Sequence, residues 1–441
     1  MTPMKPSRFR SEPVSTPGLP PGIPFIIGNE AAERFSYYGM RAVLVVYMSQ
    51  YLTGDGGTPD PMTPEQAKAH FHLFVSAAYF TPLLGALLSD IWLGKYRTIL
   101  SLSLLYCLGH LVLSLDETRS GLIWGQALIA LGAGGIKPCV SAHLGDQFAA
   151  ANRHRLGRVY GWFYWAINLG AFAAMLVTPW LLATRGPGWA FGLPALLMLL
   201  AVIVFWLGRY RYAHIAPIGP QRFMETLHRD GGLACLLRLS PIYLCLAIFW
   251  ALFDQTGSSW VLQARAMDGR ILGVTLLPSQ IQAANPLLIL LLTPLFHYGL
   301  YPALERHLRV TAVAKISTGM LLAAASFALA GWIQGWIDAG IRPSIGWQLL
   351  AYLVLTASEV MVSVTGLELA YTQAPRALKS LVMSLFMVSV AMGNLLTALV
   401  NQSIRPDGTG WLQGAGYFWF FAGLMLLTAL IFTGVGHRVR G

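Results

Sequence analysis

The chain has 441 residues, of which 55% are apolar, while Lys and Arg together number 30 and Asp and Glu 19. Charged residues make up 11%, less than half the roughly 25% of a soluble domain, which excludes a soluble enzyme and a disordered chain. Four cysteines without metal-like spacing exclude a disulfide scaffold, and the net charge of +11 is explained below by where the cations fall.

Long uncharged runs such as 191–207 and 417–435 have the length of membrane-embedded segments. Hydropathy predicts twelve of them, centred near residues 37, 77, 107, 132, 170, 198, 252, 288, 320, 357, 390 and 424. The predicted fold class is therefore an all-α polytopic membrane protein with twelve transmembrane helices. The stretch 1–24 is polar and proline-rich with no apolar core. It predicts a disordered tail and not a cleaved signal peptide.

The first span carries four ionisable groups, in Glu30-Ala-Ala-Glu33-Arg34-Phe-Ser-Tyr37-Tyr38-Gly39-Met-Arg41. At 100° per residue, Glu30, Glu33, Arg34, Tyr37, Tyr38 and Arg41 share an arc of about 140°, so they form one polar stripe facing a cavity. A single buried Glu–Arg pair reads equally well as structural glue between helices; a stripe with two tyrosines favours a site. Ionisable side chains at membrane depth cost several kcal/mol each and are site candidates by default. By that criterion Lys137 in the fourth span, Asp254 in the seventh and Glu359 in the tenth join the stripe, with the amides Asn168 and Asn285. Cations Arg34, Arg41 and Lys137 fall in the first half and anions Asp254 and Glu359 in the second. Opposite charge on opposite walls suits a small zwitterion. Tyr79, Trp250 and Phe386 are candidate pocket walls. His72, two turns before Tyr79, is a candidate proton acceptor, because histidine titrates nearest physiological pH; His110, His143 and His297 read as packing residues.

The longest loop, 209–239, divides the chain six plus six and contains an amphipathic stretch around 223–237, predicting a helix on the membrane surface. The expected units are a six-helix bundle over 25–208, the linker 209–239, a second six-helix bundle over 240–436, and a tail over 437–441. Of the thirty Lys and Arg, twenty fall in loops on the side of the termini and six in the opposite loops. The positive-inside rule then predicts both termini in the cytoplasm, which accounts for the basic charge without nucleic acid.

Several motifs carry a resemblance. They are Glu30-x-x-Glu33-Arg34-Phe35-x-Tyr37-Tyr38-Gly39; Asp90-Ile-Trp-Leu-Gly-Lys-Tyr-Arg97; Gly134-Gly135-Ile136-Lys137-Pro138 through Gly145-Asp146-Gln147-Phe148; and Phe163-Tyr164-Trp165-x-Ile167-Asn168-Leu169-Gly170. In the second half they continue with Phe249-Trp250-Ala251-Leu252-Phe253-Asp254-Gln255, Asn285-Pro286-Leu287-Leu288, and Glu359 through Gly366-Leu367-Glu368 to Ala374-Pro375. Together they resemble the proton-coupled oligopeptide transporters of the major facilitator superfamily. That resemblance implies two six-helix bundles related by an axis along the membrane normal, with import of di- and tripeptides driven by protons.

It also implies roles. Glu30, Glu33 and Arg34 couple proton and substrate, with Asp254 and His72 as further proton-linked groups. Lys137, Arg34 and Arg41 hold the peptide carboxylate, while Asn168, Asn285 and Glu359 hold the amino terminus. Tyr37, Tyr38, Tyr79, Trp250, Ser363 and Phe386 complete the pocket, and Asp254 facing Arg41 forms a gate pair. No cofactor is implied beyond the proton as coupling ion, and the expected setting is the cell membrane, with the chain working as a monomer. The chain departs from many bacterial members in lacking room for two extra helices in 209–239, and from animal members in its short stretch at 331–345. A proton-driven exporter or importer of another small zwitterion or peptide-like drug on the same fold is the alternative reading. A membrane enzyme is disfavoured, since no nucleophile set, phosphate loop or metal spacing is present.

Overall fold

The computed structural model describes residues 9–54, 56–229, 232–307, 310–368, 379–404 and 410–438. The Ala374-Pro375 end of the last motif, and the basic residues Lys5, Arg8, Arg309, Arg376, Arg405 and Arg440 counted above, lie outside these. Among the described residues eleven helices are long and apolar enough to cross a bilayer. The twelfth is the first helix in the chain, Ile23–Gln50; it has the length, but Glu30, Glu33, Arg34 and Arg41 remove it from any purely apolar criterion. The protein is a multi-pass membrane protein.

In chain order the spans are Ile23–Gln50, Pro64–Leu93, Lys95–Leu115, Arg119–Gly145, Leu156–Arg185 and Pro187–Leu207. After the linker they are Gly232–Phe253 with its extension Ser259–Arg265, then Pro278–Glu305, Ala312–Asp338, Ile345–Glu368, Lys379–Ser403 and Ala415–Arg438. Local chemistry sets several ends. Thr63 closes a capping box with Gln66 at the start of the second span; Thr118, Thr311 and Ser344 cap the fourth, ninth and tenth. Two large apolar cores form, one in the last six spans and one in the first six, the latter joined by Val261 of the seventh-span extension.

Three spans of the second half are discontinuous. The seventh breaks into a 3₁₀ turn at Asp254–Gly257, the eighth opens with one at Pro278–Ala283, and the tenth passes through a π turn at Val360–Val364. Asp254, Asn285 and Glu359 therefore sit at or beside helix interruptions, where freed backbone lines a cavity instead of lipid.

Two expectations need correction. The tail expected to be disordered over 1–24 is tied down from Phe9 onward: Phe9 stacks on Tyr210 with ring centroids 5.5 Å apart, and the His214 amide donates to the Arg10 carbonyl at 2.8 Å. The stacked ring, which stays partly exposed, and the backbone hydrogen bond give this stretch local contacts that composition alone did not suggest. The amphipathic stretch expected at 223–237 falls in two helices, Pro220–Arg229 and the start of the seventh span. The loop after the second span also folds differently from a plain turn. It is a π turn ending at Gly94, whose φ of 76° needs glycine, and Lys95 pairs with Asp146 at 2.6 Å.

Candidate functional site

A cavity of about 510 Å³ lies between the two bundles. From the first half it is lined by Tyr38, Arg41, Tyr79 and Asn168, and from the second by Trp250, Asp254, Asn285, Glu359 and Ser363. Nine of the residues singled out from the sequence thus meet around one space.

The first span delivers its stripe as helical spacing requires. Arg34 Nε donates to Glu30 Oε1 at 2.7 Å and lies 2.8 Å from Glu33 Oε2. An Nε carries a single hydrogen, and it is spent on Glu30; Glu33, fully buried, is left with no hydrogen-bond donor among the described residues. Two turns further along the stripe, Arg41 is ion-paired with Asp254 across the bundle interface.

Lys137 does not line the cavity directly. Its ammonium lies 3.8 Å from the Tyr37 ring centroid and 4.1 Å from that of Tyr79. It is buried and, among the described residues, has no hydrogen-bond partner. Cation–π contact answers part of its desolvation, leaving a cation one tyrosine thickness from the cavity. The opposite wall is acidic: Asn285 Nδ2 donates to Glu359 Oε2 at 2.7 Å and to Thr356 Oγ1 at 3.2 Å. Asn168 Nδ2 is held by the Tyr164 carbonyl at 2.9 Å. Phe386 stands behind the wall, its ring edge-on to Trp250 at 6.1 Å.

His72 is buried away from the cavity in a chain of hydrogen bonds. Asn394 Nδ2 donates to Asp254 Oδ2 at 2.6 Å, so Asn394 Oδ1 is the acceptor facing His72 Nδ1 at 2.7 Å. This makes Nδ1 the protonated nitrogen, and His72 Nε2 meets Ser258 Oγ at 2.7 Å. Neither Asn394 nor Ser258 was singled out from the sequence. Asn394 is an amide inside an apolar run and meets the criterion that picked out Asn168 and Asn285; Ser258 carries no comparable signal. Tyr164, Thr256 and Gln282, which also line the cavity, were likewise missed.

The bundles are joined on the side opposite the termini. Besides Arg41–Asp254 and the His72 contacts, Ser76 Oγ donates to the Ala391 carbonyl at 2.8 Å, Gln280 to Leu176 at 2.9 Å and Gln282 to Ala42 at 3.0 Å. Tyr164, Val364 and Leu367, at the cavity's terminal-side end, are exposed. The arrangement is a two-walled site closed on one side.

Residues 96–235 and 232–409 match the model of the POT family. The chain belongs to the POT family. Peptide transporter family 1 of Drosophila melanogaster is 39% identical over 361 residues, 71% of this chain and 48% of that protein. Solute carrier family 15 member 1 of Homo sapiens is 36% identical over 384 residues, 73% of this chain and 53% of that protein. The POT-family chain described here thus spans about half the length of the curated relatives it matches. A solved structure, an auto-inhibited POT family peptide transporter, superposes with a TM-score of 0.86 at 36% identity, covering 95% of this chain and 97% of its own.

Proposed function

We propose that this POT-family chain is a proton-coupled symporter that imports di- and tripeptides by alternating access. The observation that carries this reading is the cavity between the bundles, with Arg41 and Lys137, which makes no hydrogen bond among the described residues, toward one wall and Asn285–Glu359 on the other. A peptide zwitterion presents its carboxylate to the first and its amino group to the second. Tyr38, Tyr79, Trp250, Ser363 and, behind them, Tyr37 and Phe386 bound the side-chain space. The family relationship, and relatives carrying peptide-transporter names, support the substrate class.

The proton acts through partner exchange. Arg34 cannot satisfy Glu30 and Glu33 equally with one Nε hydrogen; neutralising Glu33 leaves Arg34 with Glu30 and lowers the negative charge beside Lys137. Asp254 loses its attraction for Arg41 when it takes a proton, and His72, linked through Asn394, shares that network. These exchanges tie closure of the site to its charge. The cation distribution supports both termini in the cytoplasm, so the closed side faces outward. We assign the chain to the cell membrane as a monomer needing no cofactor beyond the coupling proton.

Uptake of labelled di-alanine into proteoliposomes, with and without an imposed inward proton gradient, tests the reading. Accumulation that collapses without the gradient is the expected result. Gradient-indifferent uptake, or net efflux against it, overturns import by proton coupling.

A further inference from the structure

A second cavity, of about 310 Å³, opens on the outer face apart from the peptide site. Its walls include Glu65 and Lys68 from the second span, Ser259 and Leu262 from the seventh, and Tyr417 and Phe418 from the twelfth. The Lys68 ammonium lies 4.4 Å from the Tyr417 ring centroid. Among the described residues it makes no ion pair. A half-buried ammonium against a ring has shed water on that face, and the ring returns part of the loss. The Tyr417 hydroxyl is fixed by Ser259 Oγ at 3.2 Å and Asn401 Nδ2 at 3.0 Å, so the ring holds its place under the cation. Leu262 and Phe418 supply apolar surface next to it.

We propose that this outer cavity binds a small organic monoanion with an apolar body, and that its occupancy holds the outer side shut. The acid group meets Lys68 and the body lies against Leu262 and Phe418. Glu65, one turn before Lys68, places negative charge beside it and disfavours a dianion. The lock follows from the walls: the second span belongs to one bundle and the seventh and twelfth to the other. When the bundles part on the outer side, the cavity ceases to exist, so the ligand has affinity for the outward-closed state alone and draws the population toward it. The locking effect rests on the transport reading above; binding does not.

Benzenesulfonate, which stays ionised and carries no protons, is the probe. In detergent it raises the thermal midpoint of the wild-type chain through preferential binding to the folded state; Lys68→Gln loses the shift and Lys68→Arg keeps it. In proteoliposomes, external benzenesulfonate depresses di-alanine uptake and saturating di-alanine does not restore it. Lys68→Gln transports normally without the probe and is inhibited about tenfold less strongly, a difference of about 1.4 kcal/mol in binding. Equal stabilisation of wild type and Lys68→Gln overturns the proposal, as does inhibition relieved by di-alanine, which would put the probe in the central cavity. If di-alanine is not a substrate at all, the thermal-midpoint arm still decides whether the cavity binds the anion.

Discussion

Glu30, Glu33 and Arg34 share one guanidinium Nε, and the arithmetic of that atom decides what each carboxylate can do. Glu30 has the hydrogen bond and Glu33 has only proximity. We expect Glu33→Gln to abolish gradient-driven accumulation of di-alanine while leaving counterflow exchange measurable, because the amide mimics the protonated acid and keeps the pocket intact. Full accumulation by the variant would remove Glu33 from the coupling. At this scale the sequence was informative wherever charge stood at membrane depth, since each such group had to be answered by another. It was uninformative about which partner answered which: the pairing of Arg41 with Asp254 spans two bundles, and Asn394, the amide bridging Asp254 and His72, passed unnoticed in an apolar run. Lys137 shows the same limit, for its ammonium is shielded by Tyr37 and Tyr79, a contact no spacing rule predicts.

The elements themselves were legible, because a run of about twenty apolar residues has few alternatives in a membrane chain. The interruptions were not. Neither Asp254 nor Glu359 is preceded by a proline that would announce a break, and the turns there depend on packing against the other bundle. For example, a Cβ on Gly257, inside the 3₁₀ turn, would lie 2.6 Å from the Phe71 ring of the second span. Close approach between helices has the same origin. A Cβ added at Gly85 would sit 2.7 Å from the Gly135 carbonyl oxygen and nearer still to its Cα, backbone atoms with nowhere to go. Gly85→Ala must therefore push the second and fourth spans apart, at a cost of about 1–3 kcal/mol. Gly161→Ala, with no atom near its added Cβ, should match wild type or gain slightly in helix propensity. Thermal unfolding of the two variants in detergent, side by side, checks the contrast; equal midpoints would mean the crossing is looser than its geometry.

For the whole molecule the question is what holds one side shut. On the closed side the second span packs on the eleventh, and among the polar contacts named there Arg41–Asp254 is the charged one. Both partners are buried, so removing one carboxylate charge leaves the guanidinium uncompensated, which costs about 3–5 kcal/mol in comparable buried pairs. That penalty applies only while the bundles are together, because parting them returns Arg41 to water. Asp254→Asn therefore raises the free energy of the state closed on this side relative to the one open there. A shift of 1:99 to 99:1 needs about 5.5 kcal/mol, so the variant should populate the open state substantially without abolishing the closed one. Spin labels at Pro61 and Gln402, both exposed and on opposite bundles, report this as a longer-distance population in Asp254→Asn that is minor in wild type. A distance distribution unchanged by Asp254→Asn would mean that the apolar packing of the second span on the eleventh, and not the ion pair, keeps this side closed.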